Sequence, residues 1–204
     1  MKNCKFAASR GRPRSFDLDE ALDSALHLFW QKGYEGTSLS DLTGAMGINR
    51  PSLYAAFGDK ESLFSKVLER YQQGPAAFAR EALKEPTARR VAERLLLGTA
   101  DTLSDPQNPR GCLAVQSALV CGDDAKSVRH QVISCRAERE VAIRKRLRRA
   151  KAAGDLPRDS SPAGLAGFIV TVMEGMSVQA TGGATRTQLR SVAKTALRAW
   201  PKRR

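Results

Sequence analysis

Residues 47–64 read "GINRPSLYAAFGDKESLF". Asn49 and Asp59 carry the kind of side-chain oxygen that caps a helix start, and each is followed at once by a cation, Arg50 and Lys60. A helix N-terminus is the positive end of the macrodipole, so a cation there is disfavoured by about 0.3 kcal/mol or more. Pro51 suits a first helical turn, where no backbone donor is needed. Leu53 and Phe57, four apart, define one inward face and leave Arg50, Ser52, Tyr54 and Ala55 outside. Gly58 supplies a stop, and Asp59 opens the next helix. The doubled cation has a use if an anion is the partner. Free N–H groups and the dipole end already attract a phosphate, and Arg50 or Lys60 adds to that attraction. For either residue alone, a side chain that simply bends into water explains as much.

Working outward, "SLSDLTGAMG" (38–47) begins with Ser38 and Asp41 in capping-box relation, and Leu39, Leu42, Ala45 and Met46 share a face. Upstream, "FDLDEALDSALHLFWQKGYEG" (16–36) has a similar start at Asp17 and Glu20. Its apolar positions, Leu18, Leu22, Ala25, Leu26 and Phe29, recur at helical spacing, and Gly33 ends it. Two short helices joined by a tight turn at Gly47–Ile48, behind a longer supporting helix, form a helix-turn-helix unit. Before it lies a basic arm, residues 1–16, holding five basic and no acidic residues up to Ser15.

The sequence "GYEGTSLSDLTGAMGINRPSLYAAFGDKESLF" (33–64) resembles the DNA-binding signature of the tetracycline-repressor (TetR) family of bacterial transcription regulators. The resemblance runs from about Arg10 to Phe64 and is most specific over "RPSLYAAFGDKESLF". It implies a double-stranded DNA operator as partner. It also implies that Thr37 and Ser38 meet backbone phosphate, that Arg50, Pro51, Ser52 and Ala55 face the major groove, and that Tyr54 and Lys60 lie on phosphates. Arg12 and Arg14 of the arm would enter the adjacent minor groove. One departure is Gly44, where the family usually has Ala; glycine there loosens the second helix by up to about 1 kcal/mol.

Composition bounds the rest. A chain of 204 residues with 42% hydrophobic and 27% charged residues belongs with globular proteins. Ala, Leu, Arg and Glu dominate, and runs of alternating β-branched residues are missing, so the expected fold is all-α. The net charge of +13 suggests an acidic partner, yet residues 1–74 hold ten Lys or Arg against nine Asp or Glu. Residues 75–204 hold 24 against 12, so net charge by itself would put the DNA site in the wrong half. Four cysteines, at 4, 112, 121 and 135, show no CxxC pair and no metal-finger spacing. Without a signal peptide they read as reduced thiols, and the expected location is cytoplasmic. The longest apolar run, Gly164–Met173, is too short to span a bilayer, so no membrane partner is expected.

The expected organisation is an arm (1–16), a helix-turn-helix domain (17–63) and an effector-binding and dimerisation domain (64–204), with nine or ten helices in all. Gly74–Pro75 interrupts the fourth helix. Thr87 opens a helix through Leu103 that carries Val91, Leu95 and Leu96. "SDPQNPRG" (104–111) is a loop, "CLAVQSALV" (112–120) a short apolar helix, and a long helix follows through about Ala153. Ser161 and Pro162 start "AGLAGFIVTVMEGMSVQA", apolar nearly all round and therefore expected to be buried on most sides. Thr185 and Gln188 cap the last helix, whose stripe is Leu189, Val192, Ala193, Ala196, Leu197 and Trp200. The family resemblance implies a homodimer through these two final helices, with Leu165, Val172, Leu189, Val192, Ala196 and Trp200 as interface candidates. Burial within the chain is the alternative. A twofold dimer presents two recognition helices about one DNA turn apart and suits a palindromic operator.

A small-molecule effector would sit between helices of the second domain. Candidates are Cys112, Val115, Gln116 and Leu119 from one helix, and Phe168, Met173, Glu174 and Met176 from the penultimate one; each is also an ordinary core position. Glu174, the one charge between Gly164 and Ala180, needs a partner or exposure at a bend near Gly175. The basic run 136–151 reads mainly as a solvated face, with Glu140 and Arg144 in i,i+4 pairing and an anionic effector or extra long-range attraction to DNA as the other readings. "RGCL" (110–113) resembles the family branch containing a copper-responsive regulator of an outer-membrane protein, and thiolates select Cu(I). Cys121 or Cys135 near Arg136 and Arg139 would have a lowered pKa. An enzyme is the rival class. His27 and His130 stand alone, and no nucleophile–base pair, phosphate loop or metal cluster appears, so no catalytic, metal or cofactor site is assigned.

Overall fold

Side-chain caps set most of the helix boundaries. The computed structural model describes residues 16–120 and 125–201, with backbone only for 118–120. Among them are ten helices: α1 (Leu18–Lys32), α2 (Leu39–Met46), α3 (Arg50–Phe57), α4 (Lys60–Gln73), α5 (Phe78–Ala82), α6 (Ala88–Leu103), α7 (Leu113–Val120), α8 (Lys126–Ala152), α9 (Pro162–Thr181) and α10 (Arg186–Arg198). Asp17, Ser38, Asn49, Asp59, Thr87, Ser161 and Thr185 each accept a hydrogen bond from the first turn they precede. Ser38 and Thr185 complete reciprocal capping boxes with Asp41 and Gln188. At α1 only half of such a box forms, because Asp17 accepts from Asp19 and Glu20 and Glu20 returns no bond. α5 is unexpected from sequence: five residues, with no side-chain cap. The arm, including Arg12 and Arg14, and Cys4 and Cys121 lie outside the described residues.

The helix-turn-helix head closes over an aromatic cluster. Phe29 and Tyr34 each meet Phe64 edge-on at 5.2 Å, and Leu42, Leu53, Leu63 and Phe64 are fully buried beside them. α4 then runs on past the 63/64 boundary, burying Val67, Leu68 and Tyr71 deeper in the molecule. Arg70 holds α4 to α1, its Nε and Nη2 donating to the two oxygens of Asp23, each at 2.8 Å.

α6 is the central helix of the second half and packs against α5, α9 and α10. Its Asp101 accepts from Arg186 and Arg190 on α10. Arg146 of α8 donates to the carbonyls of Leu83, Glu85 and Pro86 around the α5–α6 turn. Glu140 and Arg144 form no ion pair; exposed pairs of this kind add little, and nothing holds these two side chains together.

α9 corrects two expectations. Twenty residues long, it exceeds the apolar run inside it and by length and composition alone could cross a membrane. It is not covered on most sides: Phe168 and Val178 are exposed, and Leu165 and Val172 are only half covered. On α10 the outcome is the reverse. Leu189, Ala196 and Trp200 are buried within the chain, so these three are not free to meet a second copy, whereas Val192 is exposed. The stripe at i, i+3 and i+4 identifies an apolar face correctly but cannot say whether the chain's own α6 or another molecule covers it.

Two glycine substitutions should act with opposite sign. Gly44 lies in α2, and a methyl group added there meets nothing within 4 Å, so Gly44→Ala should stabilise by about 0.5–1 kcal/mol. Gly111 has φ +87°, and a Cβ would approach Gln116 Nε2 at 2.2 Å and Thr181 Cγ2 at 2.6 Å. Gly111→Ala should therefore destabilise by about 1–3 kcal/mol, read from urea melts. The Asp41 carboxyl is held well below the usual carboxylate range by the Ser38 hydroxyl, then by Lys32 and the Ser38 N–H. A depressed carboxylate stabilises the fold above its unfolded value of about 3.9 and loses that contribution as pH falls toward the lower folded value. Asp41→Asn should flatten the acid limb of the stability–pH curve below about pH 4.

Candidate nucleic-acid interface and effector cavity

α3 is a short helix gripped from beneath. Leu53 and Phe57 are buried, while Arg50, Pro51, Tyr54 and Ala55 are exposed and Ser52 is half covered. Tyr54 is 49% exposed, an unusual allowance for a tyrosine without a polar task. Asn49 takes the Ser52 N–H at 2.8 Å, and Arg50 Nη2 donates to Ser40 Oγ at 3.0 Å, tying α3 to the first turn of α2. Lys60 sits with Nζ 4.2 Å from the centre of the Tyr34 ring. Neither cation at a helix start is therefore loose. Each leans on a neighbour that holds its charge near the surface of the head.

Ser38 and Thr37 fare differently from expectation. The Ser38 hydroxyl accepts from the Asp41 N–H at 3.0 Å and is 2.7 Å from Asp41 Oδ2, so its bonding capacity goes largely to the cap. Thr37 is fully buried and its hydroxyl donates to the Gly33 carbonyl at 2.7 Å, which removes its side chain as a phosphate contact. Its position just before a capping serine gives no hint of this, since the inward turn depends on how α1 ends. Ser40, which orients Arg50, has no distinguishing signal in the sequence.

The head is fastened to the second half at one corner. The buried indole of Trp30 donates to the Gly111 carbonyl at 2.9 Å. Tyr71 OH donates to Cys112 Sγ at 3.3 Å, and the Cys112 N–H donates to Ser177 Oγ at 2.8 Å. Residues 111–112 thus contact α1, α4 and α9 together.

Of the proposed cavity residues, Cys112, Val115, Met173 and Glu174 do line one space, together with Tyr71, Phe78, Thr99 and Arg139. It measures 30 Å³, room for about one water. Gln116 is outside it, its amide donating to the Arg110 carbonyl at 2.7 Å. Phe168 points outward, Met176 is core at 1% exposure, and the Leu119 side chain lies outside the described residues. A pattern of apolar positions on α9 cannot separate exposed Phe168 from core Met176 or cavity-lining Met173. Beside the cavity is a second cleft of 200 Å³ between α4, α5 and α8, lined by Ala76, Ala79, Leu83, Cys135 and Arg139 among others. Glu174 finds its partner in Arg136, which donates Nε to Oε1 at 2.7 Å and Nη2 to Oε2 at 2.5 Å. Donating to the Glu174 carboxylate holds the Arg136 guanidinium charged. Burial pushes the Cys135 thiol up, against the lowered pKa expected from its arginine neighbours. Gln72 Nε2 donates to Cys135 Sγ at 3.0 Å. Among the described residues no group of three or more His, Cys, Asp or Glu is placed to hold a metal ion.

Comparison with known proteins agrees with this arrangement. Residues 21–67 match the bacterial regulatory proteins of the tetR family, and residues 89–200 match the tetracyclin repressor-like C-terminal domain. The chain is 36% identical over 195 residues to the HTH-type transcriptional repressor ComR of Escherichia coli K12, covering 95% of this chain and 93% of ComR. It is 32% identical over 191 residues to the repressor BdcR of the same strain, covering 91% and 90%. Among solved structures, a cysteine mutant of the TetR family regulator CifR complexed with 26-base-pair operator DNA superimposes with a TM-score of 0.89. That chain is 44% identical, with 94% of this chain and all of the CifR chain covered. The protein belongs to the TetR family of bacterial regulatory proteins and is a helix-turn-helix transcription regulator.

Proposed function

We propose that the protein is a repressor that binds a palindromic operator as a twofold homodimer and leaves it when a small molecule occupies the second domain. The observation that carries the DNA contact is the tethered cation at each of two consecutive capped helix starts, Arg50 on Ser40 and Lys60 on Tyr34, beside exposed Tyr54. Arg50, Pro51, Ser52 and Ala55 would face the major groove, Tyr54 and Lys60 the phosphates, and Arg12 and Arg14 the minor groove. The CifR relative, bound to double-strand operator DNA, supports the same partner.

For the dimer, residues 161, 164, 168, 171, 175, 178 and 182 of α9 and its two caps are exposed, an alternating three–four spacing that keeps one face turned outward along the helix. Phe168 and Val178 stand on this uncharged stripe between glycines, and α10 contributes exposed Gln188, Val192, Thr195 and Ala199. Such a surface suits a second copy of itself better than water or a membrane, and a cytoplasmic repressor follows from that reading. Release requires the effector to favour the conformation that cannot span the operator. The route is α4, which begins at Lys60 and ends at Tyr71–Gln72 against the cavity and cleft.

A thiol- or metal-responsive input, as in the copper-responsive branch, is favoured by one observation: adjacent α4 residues, Tyr71 and Gln72, donate to Cys112 and Cys135. A Cys112→Ser, Cys121→Ser, Cys135→Ser triple variant should then hold the operator but no longer respond. Unchanged release would leave the non-thiol effector as the input.

Footprinting on DNA upstream of its own gene, with and without cell extract, tests the main reading. On the protected site Lys60→Ala and Tyr54→Phe should weaken binding to all sequences alike, with Lys60→Ala reducing the salt slope by about one. Arg50→Ala should cost about 1–3 kcal/mol and blur base preference. Wild-type binding by all three variants would remove the contact assignment. Phe168→Asp with Val178→Asp should give monomers by sedimentation and reduce operator affinity at least about tenfold, with helicity unchanged by circular dichroism.

A further inference from the structure

Arg139 occupies an unusual place. It lines both the 30 Å³ cavity and the 200 Å³ cleft, and only Ala76 and Ala79 share that position among the lining residues. Arg139 is half-buried as a residue, yet its guanidinium makes no hydrogen bond or ion pair with any described residue. Nearby Glu174 cannot serve it, because Arg136 already engages both carboxylate oxygens. Glu138 lines the cleft but forms no ion pair there. A side chain with five N–H donors thus lines a space whose other walls include Leu83, Ala142 and Ile143. A planar guanidinium matches a carboxylate in charge and geometry, and the apolar walls match a short hydrocarbon body.

We infer that Arg139 is the anion-binding group of the effector site and that the effector is a small carboxylate with an apolar tail. This rests on the ligand-responsive reading above and names the ligand's class. Ala76 and Ala79 line both cavity and cleft, and α5, which includes Ala79, lacks a side-chain cap. Ala76 is also bonded to α4, since its N–H donates to the Tyr71 carbonyl at 2.9 Å. An anion on Arg139 with its tail pressed past Ala76 and Ala79 moves the segment that is hydrogen-bonded to the end of α4. Only the direction of that movement decides whether the head releases DNA.

The test uses the full chain, with hexanoate and 1-hexanol as a charged and a neutral probe of equal chain length, in a carboxylate-free buffer. Binding is read by calorimetry and operator occupancy by fluorescence anisotropy. Wild type should bind hexanoate at least about tenfold more tightly than hexanol. Arg139→Gln should bind the two probes within about twofold of each other and should bind the operator like wild type when no probe is present. Arg80→Gln, removing another cation of the cleft, should keep the preference for hexanoate. Equal binding of the two probes by wild type, no binding of either, or loss of the preference in Arg80→Gln instead of Arg139→Gln overturns the inference. If hexanoate binds through Arg139 and the operator is not released, the anion site stands and ligand release falls. If cell extract frees the operator from wild type and Arg139→Gln alike while hexanoate does not bind, release stands and the anion site falls.

Discussion

A buried indole N–H must find an acceptor, and in this protein that requirement joins the two halves of the molecule. Trp30 is 1% exposed and its one donor goes to the Gly111 carbonyl. That carbonyl is presented by a residue at φ +87°, with Gln116 and Thr181 packed too closely for any side chain. The next residue, Cys112, receives Tyr71 from α4 and reaches Ser177 on α9. Trp30 in turn meets the Tyr71 ring edge-on at 4.8 Å. The 111–112 corner is therefore bonded to both α1 and α4, the two helices that carry the head.

The cations at helix starts acquire a physical account from the same geometry. Arg50 and Lys60 each oppose the dipole of the helix they begin, and Asn49 and Asp59 offset this by satisfying first-turn N–H groups. Ser40 and the Tyr34 ring then fix where the charges stand. Residues 17–63 hold three Lys or Arg against eight Asp or Glu, so any attraction of this head for a phosphate would come from where its cations stand and not from excess charge. The surplus charge of the second half is partly absorbed internally, with Arg146 on backbone carbonyls, Arg136 on Glu174, and Arg186 and Arg190 on Asp101. Arg139, on α8 with Arg136 and Arg146, is the contrast: it lies against two spaces and has no ion-pair partner among the described residues.

Much of the fold was legible locally, because caps act within three or four residues. Ser38, Asn49, Asp59, Thr87, Ser161 and Thr185 all start helices where their side chains say they should. α5 escaped because five residues without a cap carry no periodic signal. In the candidate site, exposed Arg50, Tyr54 and Ala55 follow from the inward spacing of Leu53 and Phe57. The burial of Thr37 and the service of Ser40 do not, since both depend on how one helix lies across another. The cavity was half legible: Cys112, Val115, Met173 and Glu174 meet, but Phe168, on α9 with Met173 and Glu174, faces outward.

By itself the sequence determined the order of helices, the character of the head and the residues α3 presents, because capping and the 3.6-residue period are properties of neighbouring residues. Tertiary structure alone decided which apolar stripe the chain covers for itself: Leu189, Ala196 and Trp200 are buried within it, while the Phe168–Val178 face of α9 stays open. It alone also decided which arginine is paired. Helical spacing states which side a residue is on, but the presence of a carboxylate opposite it depends on chain segments tens of residues distant, such as Glu174 across from Arg136.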